Sequence, residues 1–248
     1  MTSPAPRRVR SLSTRHGGAC LLLRAVPYQE SDVIATLFSE QHGKLTATAH
    51  GARNPKRSQN LILEPMHTLA FTADLSAASE RYTLRTCKLE HLRTRLTSRL
   101  DGLDAAGRGL RWVRVATPAL APEPRVWAEI TSFLDRLDAP GVVAAPRELA
   151  RLGLRLLDAL GYALDLERCV RCGKPCESGR AAYLDPEAGG LVCRACGGGP
   201  VQLEGSARSA MLRIVAGDDT ALSELPEPDD VAAWVDSALR AHANVEIP

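Results

Sequence analysis

The chain has 248 residues, of which 45% are hydrophobic and 24% are charged. A bilayer-spanning helix needs roughly twenty consecutive apolar residues, and no run of this sequence approaches that length, so we predict a soluble protein with no membrane partner. The formal net charge of +2 hides an asymmetry, because residues 1–100 carry 15 Lys and Arg against 7 Asp and Glu, whereas the remaining residues carry 16 against 22.

Residues 1–17 are predicted to form a flexible basic arm. They contain four arginines and no acidic residue, and they show neither the helical nor the strand period. An organelle transit peptide has a similar composition, but Pro4 and Pro6 interrupt any amphipathic helix there. We therefore expect an irregular, positively charged segment before the first folded element.

Residues 18–90 have the pattern of a small β-barrel. Short runs rich in Val, Thr, Ile and Leu alternate with turn signals such as Gln41-His-Gly-Lys and the loop that starts at Gly51. Five such strands within about eighty residues are typical of a Greek-key barrel of the OB type. The predicted strands are residues 19–26, 33–38, 45–49, 66–74 and 81–89.

Residues 91–166 are predicted to form a helical domain. The apolar residues Trp127, Ile130, Leu134 and Leu137 recur at the helical period between two prolines. A similar stripe follows Pro228, so residues 201–248 are predicted to form C-terminal helices that pack on the helical domain.

Two cysteine pairs, Cys169-Val-Arg-Cys172 and Cys193-Arg-Ala-Cys196, lie twenty residues apart. Each pair can bring two thiolates to one side of a tight turn, and tetrahedral Zn²⁺ prefers four such soft ligands. A glycine follows each pair, where the chain can fold back around a metal. We predict one structural Zn²⁺ in a ribbon at 167–200, because four protein ligands leave no open position for water or substrate. The fold class is α+β, with an N-terminal OB-fold β-barrel followed by a helical domain with an inserted four-cysteine zinc ribbon.

A thiol redox pair and disulfides are the alternatives for these cysteines. A redox dithiol needs one CxxC at a helix start, and disulfides need an oxidising compartment. The cysteine count is odd, at seven, and no cleavable secretory segment is evident, so we predict a cytoplasmic location. Cys176 is a nearby thiol that could compete for the metal and is predicted to be a bystander. Cys20 and Cys87 are predicted to be small buried hydrophobes.

No catalytic constellation is evident in the sequence. The six histidines are scattered, without HExxH or HxH, and no serine lies in a nucleophile elbow. The pairs Asp218-Asp219 and Asp229-Asp230 resemble two-metal carboxylates, but each lies beside a predicted helix end, where capping explains it. We therefore predict that the protein is not an enzyme.

Cations on the turns and strands of the predicted barrel are the candidate nucleic-acid contacts, because OB barrels expose such positions to a nucleic-acid strand. About six phosphate contacts predict a log-log salt slope of about −4 for single strands. Phe38 and Phe71 fall on strands, which predicts burial rather than base stacking and hence little sequence preference. A solvated basic face without a partner is the alternative. The candidate residues are Lys44, Arg53, Lys56, Arg57, Arg24, Arg81 and Arg85.

Several segments carry a resemblance to a known family. The run Pro27-Tyr-Gln-Glu-Ser-Asp-Val-Ile-Ala-Thr-Leu-Phe, followed by His42-Gly-Lys-Leu and Gly51-Ala-Arg-Asn-Pro-Lys-Arg, resembles the N-terminal domain of the RecO family of bacterial recombination mediators. The two cysteine pairs look like that family's zinc-binding region. The order of barrel, helices, ribbon and helices agrees over nearly the whole chain.

The resemblance implies a non-enzymatic DNA-repair protein that binds single- and double-stranded DNA and anneals complementary strands. It also implies that RecR is a partner and that the two help to load RecA onto strands coated by single-strand-binding protein. Two alternatives remain open: an interaction adaptor whose basic domain binds an acidic protein tail, and a zinc-dependent nucleic-acid enzyme.

Overall fold

The computed structural model describes residues 13–54, 58–76, 81–141 and 144–243. These residues form two compact units. The first contains the residues up to Leu92 together with Ala119–Pro122, and the second contains Arg93–Pro118 together with the residues from Glu123 onward. None of the helices in these ranges is long and apolar enough to cross a bilayer.

A closed β-barrel forms the first unit. Its strands are β1 (Ser13–Tyr28), β2 (Asp32–Ser39), β3 (Gly43–Ala49), β4 (Thr68–Ser76) and β5 (Tyr82–His91). Their order around the barrel is β1-β2-β3-β5-β4. Neighbouring strands are antiparallel except β3 and β5, which run parallel. Together with the cysteine cluster and the helices described below, this five-stranded closure confirms the predicted α+β fold with an OB-type barrel.

Alternating side chains fill the barrel. On β3, for example, Leu45, Ala47 and Ala49 are buried, while the residues between them point outward. The interior of a small barrel is narrow, so alanines are packed beside a few large side chains such as Phe71. β1 is 16 residues long and pairs with both β4 and β2. Its register against β2 shifts between Leu22 and Arg24, where a bulge bends the strand.

β1 begins earlier than the sequence pattern indicates. The predicted arm at 1–17 overlaps the strand, since residues 13–17 pair with β4 from Ser76 to Thr72. Pairing with a strand some sixty residues away supplies the order that the local pattern does not encode. Residues 1–12 of the predicted arm lie outside the described residues.

Helices dominate the second unit. They are α1 (Thr94–Thr97), α2 (Leu100–Ala116), α3 (Pro124–Asp138), α4 (Ala145–Ala159), α5 (Gly205–Val215) and α6 (Pro228–His242). A proline lies in the first two positions of α3, α4 and α6, where its missing N–H removes no helical hydrogen bond. The prolines therefore mark helix starts.

Close packing around α4 organises this unit. A Cβ on Gly153 of α4 would lie 2.7 Å from the Val235 side chain and 3.1 Å from that of Trp112, so only glycine lets α2 and α6 approach it so closely. The buried stripe of α3 follows the predicted period, although Val126 is its first member and Trp127 is only half-buried.

A small sheet interrupts the helices. Its strands are β6 (Asp165–Cys169), β7 (Ala182–Asp185), β8 (Gly190–Leu191) and β9 (Val201–Leu203), in the order β6-β8-β7-β9. Leu166, Leu184 and Leu191 of this sheet share one apolar core with Met211 and Ile214 of α5. The ribbon therefore folds as part of the helical unit.

Candidate metal centre and nucleic-acid interface

Each cysteine pair forms a tight turn that ends in a glycine. The N–H of Gly173 donates to the Cys169 carbonyl at 2.8 Å, and the N–H of Gly198 donates to the Cys193 carbonyl at 3.1 Å. Gly173 has φ of 71° and Gly197 has φ of 106°, values that residues with a Cβ rarely adopt. Both pairs are thus followed by a glycine of positive φ, although the closing hydrogen bonds differ, because the N–H of Gly197 donates to the Arg194 carbonyl at 3.1 Å.

The four sulfur atoms converge on one point. They all lie within 4.8 Å of one another, and the Sγ atoms of Cys172 and Cys193 are 3.7 Å apart. Zn–S bonds of about 2.3 Å give a tetrahedron whose S···S edges are about 3.8 Å. This cluster can hold a metal ion, and its thiol donors are compatible with zinc. Its members are Cys169, Cys172, Cys193 and Cys196.

Electrostatics within the cluster favour a bound cation. The N–H of Cys193 donates to the Cys169 sulfur at 3.3 Å, and this bond, with further N–H donors from Cys172 and Arg171, lowers the pKa of the Cys169 thiol to about 6. Hydrogen bonds with the Cys193 and Cys172 thiols raise the pKa of Cys196 to about 12. Four thiolates this close repel one another unless a metal ion neutralises them.

Arginines inside the two motifs brace the turns. Arg171, from the first pair, donates to the Cys196 carbonyl at 2.8 Å. Arg194, from the second, donates to the Tyr183 hydroxyl at 2.9 Å, and its guanidinium carbon lies 5.6 Å from the centre of the tyrosine ring. Arg171 thereby links the first turn to the second, and Arg194 links the second turn to β7.

The other cysteines lie outside this cluster. Cys176 is not among the four convergent thiols, and its N–H donates to the Glu167 carbonyl at 2.8 Å. Cys20 and Cys87 are fully buried in the barrel core, as predicted.

Five of the seven predicted nucleic-acid contacts lie among the described residues, and these five are distributed over the barrel. Lys56 and Arg57 lie outside the described residues. Lys44 is partly buried. The remaining predicted residues, Arg24, Arg53, Arg81 and Arg85, are exposed.

The outer face of β3 carries a line of polar side chains, which we term the β3 row: Lys44, Thr46, Thr48 and, directly after the strand, His50. Alternate residues of a strand are about 6.7 Å apart, so the row spans about 20 Å. Arg24 joins it through the sheet register, because Arg24 is opposite Thr36 and Thr36 is opposite Thr46. A single extended chain laid along the row could therefore meet two cations, Lys44 and Arg24, and the hydroxyl groups between them.

Arg85 belongs to a cluster that the sequence does not reveal. The carboxylate of Asp74 accepts hydrogen bonds from Arg15 Nε at 2.9 Å and from Arg85 Nε at 2.8 Å. These two bonds, that of Arg15 first, lower the pKa of Asp74 below its usual range. The arginine side chains remain 71% and 55% exposed, so the cluster presents a net positive charge to solvent. The sequence pattern predicts Arg15 to lie in the irregular basic arm, so it does not indicate the contact with Asp74.

Asp32 anchors the base of the loop that contains Arg53. Its carboxylate accepts the N–H of Gly51 at 2.9 Å and contacts His50 Nδ1 at 2.6 Å. The pKa of Asp32 is lowered, first by the Gly51 N–H and then by His50. An aspartate beside a turn is explained by turn chemistry alone, so sequence reasoning gave it no role.

Comparisons with known proteins agree with this architecture. Residues 16–93 match the family described as Recombination protein O N terminal, and residues 103–246 match the family described as Recombination protein O C terminal. The chain belongs to the RecO family. The predicted resemblance is confirmed, and RecO membership places the chain among proteins of DNA repair and recombination.

Several RecO relatives are similar over most of their length. The chain is 31% identical to the DNA repair protein RecO of Geobacter sulfurreducens over 227 residues, which are 90% of each chain. It is 32% identical to that of Pelobacter propionicus over 71% of this chain and 70% of the relative. It is also 32% identical to that of Myxococcus xanthus, over 74% and 73% of the two chains.

Proposed function

We propose that the barrel binds nucleic acid and that the protein is a recombination mediator that anneals complementary DNA strands. It binds single- and double-stranded DNA, and with RecR it helps to load RecA onto strands coated by single-strand-binding protein. The observation that carries the proposal is the β3 row, whose cationic and hydroxyl side chains lie on the outside of an OB-type barrel and lead into the basic loop at Gly51.

Phosphate contacts dominate this mode of binding. Phe38 and Phe71 are 0% and 2% exposed, so neither offers a ring on which a base could stack. Tyr28, at the end of β1, is 42% exposed and is an aromatic side chain available to a base. Binding through phosphates carries little sequence information, which suits a protein that acts on any broken chromosome.

Annealing follows from the same charges. Two DNA strands repel each other, and a cationic surface that holds both lowers this repulsion. Because the barrel grips phosphates, base edges stay available for pairing. No bound nucleotide and no catalytic step are required, so we propose that the protein acts without enzymatic turnover.

The metal in this proposal is a structural Zn²⁺. The four cysteines hold it and fix the two turns against β6 and β8, whose leucines enter the core shared with α5. A site closed by four thiolates supplies no Lewis-acid position to a substrate. The ion therefore supports the fold of the helical unit while the barrel contacts DNA in the cytoplasm, at the nucleoid.

Charge reversal of four cations tests the proposal. In strand-annealing assays with and without single-strand-binding protein, the variant with Lys44, Arg53, Lys56 and Arg57 all changed to Glu should lose most annealing. Its affinity for an oligothymidylate, measured by fluorescence anisotropy, should fall, and the log-log salt slope should change from about −4 to about −1.4 because about two of six phosphate contacts remain.

A matched variant controls for net charge. Changing Arg95, Arg168, Arg180 and Arg240, which are exposed on the helical unit, to Glu alters the total charge by the same amount and should retain annealing. Normal annealing by the barrel variant would reject the site. Loss of annealing by the control alone would favour an adaptor whose helical unit carries the contacts.

A further inference from the structure

The start of the basic loop is tied to the β1–β2 turn by several hydrogen bonds. Asp32, the first residue of β2, is 8% exposed and accepts bonds from the Gly51 N–H at 2.9 Å and the Ser31 hydroxyl at 3.3 Å. The N–H of Arg53 donates to the Ser31 carbonyl at 2.9 Å. A buried carboxylate and a backbone bond thus fix the path of the loop from Gly51 to Arg53.

His50 completes this arrangement through its Nδ1 atom. That nitrogen lies 2.6 Å from the Asp32 carboxylate, and because an ionised carboxylate can only accept, Nδ1 must carry a proton. The Nε2 atom is then the nitrogen that senses solvent, and the side chain is 62% exposed. The ring lies at the end of the β3 row, next to the loop that carries Arg53.

The two charge states of such a ring act oppositely on a phosphate. A neutral histidine bonded through Nδ1–H presents a lone pair at Nε2, which repels phosphate oxygens. A protonated one presents an N–H and a full positive charge, which attract them. Histidine is the side chain whose ordinary titration falls between about pH 5 and 8.

We propose that His50 is a proton-dependent phosphate contact of the nucleic-acid site and that Asp32 is the residue that positions it. This inference rests on the proposed function and identifies a residue and a regulation within the same site. Phosphate binding takes up a proton at Nε2, so affinity for DNA rises as pH falls. No atom other than this proton is transferred.

Charged groups face His50 from the elements packed against it. Asp32 faces it from β2 and remains ionised in this pH range, because the Gly51 N–H and His50 hold the pKa of that carboxyl below its ordinary value. Glu30 lies in the β1–β2 turn, where its carbonyl is 3.5 Å from Arg53 Nη1. Arg85 lies on the neighbouring β5, which is parallel to β3, so both strands run towards the same end of the barrel. Arg85 is itself paired with Asp74 at 2.8 Å, so the acids at this end balance the two arginines, and a proton on His50 shifts the local charge towards positive.

A pH titration of DNA affinity tests the inference. The dissociation constant of the full chain for a labelled oligothymidylate is measured by anisotropy between about pH 8 and about pH 6 at constant ionic strength. The ratio of wild-type affinity to that of His50→Gln should rise about five-fold or more over this interval. At about pH 6 the wild-type salt slope should exceed that of His50→Gln by about 0.7, the value of one single-strand phosphate contact.

Two further variants make the outcome decisive. Asp32→Asn should reduce the pH-dependent gain, because it removes the negative charge that favours the protonated ring, whereas His242→Gln, in α6, should keep the whole gain. The inference is overturned if His50→Gln shows the same pH dependence and the same salt slope as the wild type. If the wild type binds no oligonucleotide at any pH or salt concentration, the proposed function fails instead, so the two failures are distinguishable.

Discussion

The two units of this protein use arginine in opposite ways. In the barrel, Arg24 and Arg53 lie exposed on the surface. In the helical unit, Arg151 is fully buried and Arg208 is 2% exposed. Arg151 donates to Glu148 at 2.9 Å, and Glu148 also accepts two bonds from Arg136, both at 2.8 Å. The exposed arginines of the barrel are available to a partner, whereas many arginines of the helical unit form ion pairs within the fold.

This difference explains why a count of charges does not locate a binding site. The helical unit is rich in arginine, but its acids neutralise these side chains internally: Arg155 donates to Asp219 at 2.8 Å, and Arg136 reaches the same carboxylate at 3.1 Å. These partly buried ion pairs connect α3 and α4 to the segment that contains Asp219. Exposed cations near few acids create the field that steers a polyanion.

Removal of the proposed zinc ion should separate the stabilities of the two units most strongly. Because the ribbon and α5 share one core, Cys169→Ser should lose bound zinc and lower the melting temperature of the helical unit by more than about 10 °C. The barrel, which has its own core, should be affected much less. Zinc content by mass spectrometry and hydrogen exchange resolved by unit provide the measurement.

Replacement of Cys176 by Ser is the control for that experiment. Since Cys176 is not among the convergent thiols, the Cys176→Ser variant should retain zinc and stability. Stoichiometric zinc in Cys169→Ser would contradict the ligand assignment, and equal loss of protection in both units would contradict the separation of roles.

Loss of the Glu148 charge should have the next largest effect. Glu148→Gln removes the hydrogen-bonded carboxylate of the buried Arg151 and leaves only Glu129, at 3.7 Å, which should lower the free energy of unfolding by about 3 kcal/mol. Burial by itself raises the pKa of Glu148, but Arg136 and Arg151 together outweigh it and the pKa is lowered. The stabilisation is therefore complete above the unfolded glutamate pKa of about 4.3 and is lost as pH falls through the lower folded value.

Urea unfolding at neutral pH and below about pH 4 measures this effect. The difference between the wild type and Glu148→Gln should shrink in acid. Asp218→Asn, which removes one of the two acidic partners of the exposed Arg213 and leaves Glu224, is the control and should change stability much less. Equal stability of the two variants at neutral pH would show that burial adds nothing to the Glu148 pairs.

The predictable parts of this molecule are those that short stretches of sequence encode. The strand period identified the five barrel strands, and the spacing of the cysteines identified the convergent thiols. The burial of Phe38 and Phe71 followed from their strand positions. Asp218 caps a short helix, as predicted, and accepts the N–H of Thr220 at 3.0 Å, whereas Asp229 lies in the first turn of α6 without a side-chain cap bond there.

The contacts that sequence reasoning missed join distant parts of the chain. Arg15 and Asp74 are 59 residues apart, and Asp32 and Gly51 are 19 apart. No local period marks such pairs, because the barrel topology alone brings them together. The early start of β1 has the same origin, since its first residues are ordered by β4.

The smallest expected effect concerns Asp74, where one acid of the barrel restrains two arginines. Asp74→Asn keeps the shape of the side chain and removes its charge, so Arg15 and Arg85 should attract phosphate more strongly and affinity for an oligothymidylate should rise about two-fold at low salt. Arg85→Gln should act in the opposite direction and reduce the salt slope by about 0.7 if the arginine contacts a phosphate. Asp101→Asn, which frees Arg99 of its partner on the helical unit, should leave affinity unchanged. If Asp74→Asn weakens binding, the carboxylate serves to orient the two guanidinium groups, and the barrel would then resemble the helical unit in using an acid to fix its arginines in place.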